Sequence, residues 1–103
     1  SIAISDPLTG VLNRRGFERN AARRLRDSDD DATGALLFID LNAFKQINDC
    51  YGHEVGDQLL ITASERLRKG QRSCDIIGRL GGDEFVALVS DVRGLWRRNS
   101  PHD

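Results

Sequence analysis

The chain of 103 residues has no apolar run long enough to cross a bilayer, and its first residues show no signal-peptide pattern. These absences set the expectation of a cytoplasmic segment without membrane contact. Cysteine is scarce. Cys50 and Cys74 lack CxxC spacing and companion ligands, so they read as two reduced thiols rather than a disulfide or a zinc site. No charge of one sign dominates. Fifteen Lys and Arg face sixteen Asp and Glu, for a formal net charge of −1, and no global basic field points to nucleic acid or an anionic membrane. There is no internal repeat, and the one low-complexity tract is the acidic run at residues 27–31. The length allows one domain with a modest core.

What is present is organised around Arg79-Leu80-Gly81-Gly82-Asp83-Glu84-Phe85. Two glycines and two acids lie between the apolar runs Ile76-Ile77 and Phe85-Val86-Ala87-Leu88-Val89. Glycine reaches the positive φ that tight turns between antiparallel strands often require, so the stretch reads as a hairpin over about 76–80 and 85–89. Taken alone, the acids at its tip are either solvated turn residues or functional groups.

The chain upstream supplies further elements. Asp6-Pro7-Leu8-Thr9-Gly10 reads as a turn, and Asn13 as the N-cap of a helix with Phe17, Ala21 and Leu25 on one stripe. Arg14, Arg15, Arg19, Arg23, Arg24 and Arg26 cover much of the rest of that helix and read as a solvated face. The alternating acids at 27, 29 and 31 lack the Gly and Glu of a calcium loop, with Ala32 and Phe38 at those positions, so a polar loop is expected. Gly34 to Asp40 is the clearest strand. Its run Ala35-Leu36-Leu37-Phe38-Ile39 is apolar on both faces, as in a central, doubly covered strand. Asp40 closes it, and either caps the next turn or binds something at the sheet end.

A short helix is expected over 43–50, with Phe44, Ile47 and Tyr51 inward and Lys45, Asn48 and Asp49 on another face. Tyr51-Gly52-His53-Glu54 breaks it, and a second helix follows over about 55–69. Asp57 in its first turn suits the helix dipole, and His53 by itself is bland. Strand, two helices and hairpin make the first three strands of a ferredoxin-like α+β sheet. If 34–40 pairs antiparallel with 85–89, Asp40 falls beside the Gly81–Glu84 turn. Clustered carboxylates repel unless a cation sits between them, hard oxygen ligands suit Mg²⁺, and the helix start after Asp40 offers backbone N–H groups to phosphate. The residues therefore read as a metal-dependent nucleotide site.

Four ordered motifs sharpen this. They are Asp6-Pro-Leu-Thr-Gly-Val-Leu-Asn-Arg-Arg15, then Phe38-Ile-Asp-Leu-Asn-Ala-Phe-Lys45 with Ile47-Asn-Asp49, then Gly52-His-Glu-Val-Gly-Asp57, and Gly81-Gly-Asp-Glu-Phe85 preceded by Arg79. With these the chain resembles the GGDEF family of bacterial diguanylate cyclases over residues 6 to about 91. The resemblance implies a nucleotidyl-cyclase-like, ferredoxin-like α+β sheet with flanking helices. It implies a nucleotidyltransferase that condenses two GTP to cyclic di-GMP and releases pyrophosphate, as a homodimer serving second-messenger signalling, with an upstream sensory domain. By the same resemblance Asp40, Asp83 and the Leu41 carbonyl ligate Mg²⁺, or Mn²⁺ in its place, and Glu84 supports that metal cluster. Lys45 stabilises charge on the phosphates, Asn48 and Asp57 hydrogen-bond guanine, and His53 lines that pocket. Arg72-Ser73-Cys74-Asp75 fits the family's RxxD site, where cyclic di-GMP binds as an inhibitor.

Two departures accompany the resemblance. Asn42 stands where many relatives have a second Asp. The family domain also continues with further strands and helices that carry basic GTP contacts, whereas the residues from Val92 resemble none of it. Residues 1–91 are thus expected to be a GGDEF domain short of its C-terminal part, and 92–103 a tail outside the family pattern. The expected alternative to an active cyclase is an inactive module that binds cyclic di-GMP through Arg72 and Asp75, or that only mediates oligomerisation.

Overall fold

Asn13 starts the first helix, α1 (Arg14–Arg26), by standing in extended backbone while its side-chain oxygen accepts from the Gly16 N–H at 2.8 Å. That bond satisfies one of the N–H groups a helix start leaves without an intrahelical partner. Asn13 also fastens the entering chain, because its backbone N–H donates to the Ile4 carbonyl and its amide to that of Ala3. Arg23, Arg24 and Arg26 occupy the last turn, where positive charge complements the helix dipole. Asn13→Ala is expected to cost about 1 kcal/mol, read as a lower urea midpoint, whereas Asn13→Asp keeps an acceptor and most of the stability.

The computed structural model describes residues 3–29 and 33–90, so the 92–103 tail lies outside the described residues. After α1 come β1 (Gly34–Asp40), α2 (Phe44–Tyr51), α3 (His53–Gly70), β2 (Ile76–Gly81) and β3 (Glu84–Ser90). The three strands form one antiparallel sheet in the order β1-β3-β2. This is the expected α+β arrangement, and β1 pairs with β3 as expected. The break between α2 and α3 is sharper than the sequence suggests. Gly52 alone, at φ +92°, turns the chain, and α3 begins at the next residue.

β3 carries the core because it alone is flanked on both sides in this sheet. Its side chains alternate. Phe85 and Ala87 join Val11, Leu60 and Ile77 in a cluster that Ala63 and Leu67 of α3 extend; Val86 and Leu88 join Phe17 and Ile76 under α1. The sheet is thus sandwiched between α1 and α3. β1 departs from the doubly covered strand that its apolar run suggests. Among the described residues it is an edge strand, with Leu36, Leu37 and Phe38 exposed. The run marks a strand built for cover on both faces, and a strand needs neighbours as well as apolar side chains to be buried. Tyr51 also faces outward rather than into the core, and Leu25 at the end of the α1 stripe is exposed.

Candidate functional site

Two segments far apart in sequence meet at one end of the sheet. The β1–β3 register sets Ile39 opposite Phe85 and Asp40 opposite Glu84. The β2–β3 hairpin slips register between Arg79 and Gly81, so Leu80 is an extra residue there, a bulge of the kind that re-aims a turn. Gly81 at φ +152° and Gly82 at φ +47° then close the hairpin in backbone that side-chain-bearing residues rarely adopt. One further bond joins the pieces: the Leu41 N–H, just past β1, donates to the Asp83 carbonyl at 3.3 Å.

The result is a carboxylate pair. The Asp40 carboxyl is raised above its ordinary range, first by a hydrogen bond shared with Asp83 and by the Asp83 charge, then by lost hydration and the charge of Glu84, against a weaker pull from the Leu41 N–H. Such a pair destabilises the fold when both groups are ionised. The repulsion is absent while Asp40 is protonated and sets in as pH rises through its elevated value. A bound cation relieves it in the same way. The donors fit a hard divalent ion: two carboxylates and the nearby Leu41 carbonyl, all oxygen. Among the described residues no three His, Cys, Asp or Glu side chains gather into a metal-binding group. Glu84 stands opposite Asp40 on the strand and is exposed. A cation here would have to complete its shell with water or a ligand's oxygens.

The chain leaving Asp40 makes an unusual helix start. Ala43, at φ +67°, is left-handed at the N-cap of α2 and supplies no side-chain cap. The first-turn N–H groups beyond Phe44 are thus left to meet water or an anion beside the carboxylates. Lys45 lies in this turn and is exposed.

Asn48, three residues on, is set differently from its neighbours. It is half-buried, its Oδ1 has no hydrogen-bond partner among the described residues, and it lies on Gly56 of α3. A Cβ added at Gly56 would stand 1.8 Å from that oxygen. The glycine therefore lets the carboxamide settle on the start of α3, the segment that also carries His53 and Asp57, both exposed. Gly56→Ala is expected to push Asn48 off α3, costing about 1–3 kcal/mol as an overpacked contact and weakening any ligand held by Asn48. Urea unfolding and a nucleotide titration on the same sample would check both.

Arg72 and Asp75 lie at the other end of the sheet, where β2 begins. They close a turn on themselves. The Arg72 backbone N–H donates to Asp75 Oδ2 at 3.0 Å, its guanidinium donates to both Asp75 oxygens, and the Asp75 N–H returns to the Arg72 carbonyl at 3.0 Å. The Arg72 guanidinium also donates to the Ser90 carbonyl at the end of β3. The two predicted residues are thus brought together, as an ion pair whose carboxylate is buried.

Sequence reasoning assigned no role to the brace between the first turn and the hairpin. Asp6 Oδ2 accepts from the Thr9 N–H and hydroxyl at 2.9 and 2.8 Å. Arg79 donates to both Asp6 oxygens at 3.1 and 3.2 Å, while its Nε donates to the Gly82 carbonyl at 2.9 Å. One guanidinium therefore pins the apex that presents Asp83 to the entry of the chain. The Asp-x-x-Thr spacing signals the turn, but its partner is visible only once the strands are paired.

Both Asp6 and Asp75 sit below the ordinary carboxylate range. For each, burial pushes upward and is outweighed: at Asp6 by the Thr9 donors and then Arg79, at Asp75 by Arg72. Their stabilising contribution is complete above the unfolded carboxylate value and is lost as pH falls through the depressed folded values. The thermal midpoint is therefore expected to fall below about pH 4, with a shallower fall in Asp6→Asn.

Residues 3–95 match the family described as "Diguanylate cyclase, GGDEF domain". The bifunctional diguanylate cyclase/cyclic di-GMP phosphodiesterase MucR of Pseudomonas aeruginosa is 45% identical over 89 residues, covering 85% of this chain and 13% of that protein. The probable diguanylate cyclase DgcC of Escherichia coli K12 is 46% identical over 92 residues, covering 86% of this chain and 24% of that protein. The solved GGDEF domain of DgcB from Caulobacter crescentus, in complex with c-di-GMP, superposes with a TM-score of 0.80 at 27% identity, covering 87% of this chain and 53% of that one. The chain thus spans a quarter or less of the two curated relatives and about half of the solved domain.

Proposed function

Since the chain belongs to the GGDEF diguanylate cyclase domain family, we propose that the Asp40–Asp83 end of the sheet is one GTP half-site of a cyclase that joins two GTP into cyclic di-GMP. The observation that carries this reading is the approach of the Asp40 and Asp83 carboxyls, fixed by the β1–β3 register and the Leu41–Asp83 bond. Asp40, Asp83 and the Leu41 carbonyl would hold Mg²⁺ or Mn²⁺. When bound, such an ion neutralises phosphate charge and favours ionisation of the attacking hydroxyl.

The chain's own groups do the positioning. The N–H groups at the start of α2 face the phosphates, and Lys45 adds positive charge there. Asn48, settled on Gly56, and Asp57 offer an acceptor and a carboxylate to the guanine edge, beside His53. Glu84, opposite Asp40, adds negative charge that favours a cation between the acids. In each transfer a 3′-oxygen forms a bond to the α-phosphorus of the facing GTP, the bond to pyrophosphate breaks, and the hydroxyl proton leaves to solvent. Two half-sites must face each other, so the active species is a homodimer. Placement and charge neutralisation are what phosphoryl transfer demands. Incubation of the chain with GTP and Mg²⁺, followed by chromatography, tests the reading: cyclic di-GMP supports it, and unchanged GTP at saturating metal opposes it.

A second reading is a module that binds cyclic di-GMP through Arg72 and Asp75 without turnover. It is favoured by the preformed Arg72–Asp75 turn at the far end of the sheet from the carboxylates. Calorimetry with cyclic di-GMP, in which Arg72→Ala loses the heat of binding, supports it; absence of binding opposes it.

A further inference from the structure

α1 lies mainly over β2, and beneath it Phe17 and Ile76 pack with Val86 and Leu88 of β3. The β1–β3 register sets Leu36 opposite Leu88 and Phe38 opposite Val86, so Leu36 and Phe38 face the same side of the sheet as α1. Both are exposed, at 50% and 69%, and Leu25 in the last turn of α1 is 65% exposed. Between helix and strand runs a groove of about 520 Å³, lined by Phe17, Ala21, Ala22, Leu25, Leu36 and Leu88, with Glu18 the one charged residue in the lining among the described residues. Apolar surface of this kind is unfavourable in water and marks a place built to be covered.

The chain leaving β3 starts at one end of this groove. Gly34, which also lines it, stands opposite Ser90 in the β1–β3 register. Ser90 is held there. Its hydroxyl accepts from Arg24 of α1 at 3.3 Å, its carbonyl accepts from the Arg72 guanidinium, and Arg24 also donates to the Cys74 carbonyl. Beyond it the sequence runs Asp91-Val92-Arg93-Gly94-Leu95-Trp96-Arg97-Arg98, in which Leu95 and Trp96 are adjacent large apolar residues and Trp96 is the chain's one tryptophan. Six residues span up to about 20 Å, whereas the α1 side of the groove, from Phe17 to Leu25, is about 12 Å of helix. Trp96 is therefore within reach of its whole length. Charge directs the segment to the groove rather than to the outer face of α1. Arg15, Arg19, Arg23 and Arg26 are exposed along that outer face and repel Arg93, Arg97 and Arg98. The groove offers Glu18 instead, whose pairing with Arg14 at 3.7 Å is exposed and easily rearranged.

We propose that the segment 91–103 closes this groove within the same chain: Leu95 and Trp96 enter it, cover Leu25 and Leu36, and leave the flanking arginines in water. An indole brings a large apolar surface on a side chain with few rotamers, which suits it to a groove of this kind. The contact joins the end of α1 to β1, the strand that carries Asp40, and gives that strand cover on the side α1 leaves bare. The inference depends on neither ligand site.

Because Trp96 is the chain's one tryptophan, its fluorescence reports this contact directly. In the full chain its emission is expected at shorter wavelength than in urea, and acrylamide is expected to quench it several-fold less effectively. Leu36→Ser and Leu25→Ser alter groove side chains that are half or more exposed, so the fold should persist by circular dichroism. Both are expected to move the emission toward its position in urea and to restore quenching. Leu37→Ser, on the opposite face of β1, keeps the parent's emission. Trp96→Ala lowers the urea midpoint, and Leu36→Ser added to it lowers the midpoint by less than it does alone, because both changes remove one contact. Trp96 emission and quenching in the folded chain equal to those in urea overturn the proposal. Protection that survives both groove variants, or that is lost equally in Leu37→Ser, places Trp96 elsewhere and also overturns it. Protection that falls on dilution puts a second copy's segment in the groove and overturns closure within one chain.

Discussion

Asp83→Asn is expected to lower Mg²⁺-dependent formation of cyclic di-GMP by at least about 10²–10³-fold, the scale seen when one charge-stabilising group is removed from a preorganised site. The amide keeps the size of the carboxylate and the backbone bond from Leu41, so the hairpin should persist. It loses a charged oxygen ligand, and with it much of the hold on a divalent ion. The same change removes the main cause of the elevated Asp40 carboxyl, which then returns toward its ordinary range. Stability at neutral pH should therefore be unchanged or slightly higher while activity collapses. Product chromatography and urea unfolding on one preparation separate the two effects. A large loss of stability together with activity would mean that Asp83 holds the turn rather than the metal.

Phe85→Ala should act in the opposite manner. Phe85 is 0% exposed and packs among Val11, Leu60, Ile77 and Ala87. Truncating a buried phenylalanine costs about 3–5 kcal/mol, against a total of about 5–15 kcal/mol for a domain. The variant is expected to be largely unfolded at 37 °C, with a far lower urea midpoint and loss of every ligand-dependent signal. Phe85→Leu, which keeps most of the volume, should cost less than about 1.5 kcal/mol and retain binding. A Phe85→Ala protein with an unchanged midpoint would contradict the packing described for β3.

The sequence spoke clearly where the signal was local or periodic. Asn13 before a charged helix, the apolar run ending in Asp40, and glycines between two apolar runs each carry their own cause, and each reappears in the fold. The meeting of Asp40 with the hairpin was also readable, because antiparallel pairing of the two most apolar segments leaves few registers. What escaped was set by neighbours rather than by the segment. The exposure of Leu36, Leu37 and Phe38 follows from sheet order, which a run of apolar residues does not encode. Gly56 looks like an ordinary helical glycine until Asn48 is laid on it. Arg24 is one of six arginines on its helix, and only the end of β3 and the 72–75 turn distinguish it. Arg79 reads as a flanking residue until Asp6 is brought to its other side.

β3 begins opposite the carboxylates and ends at Ser90, whose carbonyl and hydroxyl receive the two arginines. Seven residues, about 23 Å of extended chain, are all that separate these two ends, and they form the best-buried strand of the sheet. A genetic consequence follows. Under the proposed function, substitutions along this strand are expected to impair synthesis and product binding together, whatever communication exists between the ends, so a doubly defective allele from β3 would be no sign of feedback. Feedback has to be sought in alleles at the ends, such as Arg72 or Asp83, where one phenotype can be lost while the other is kept.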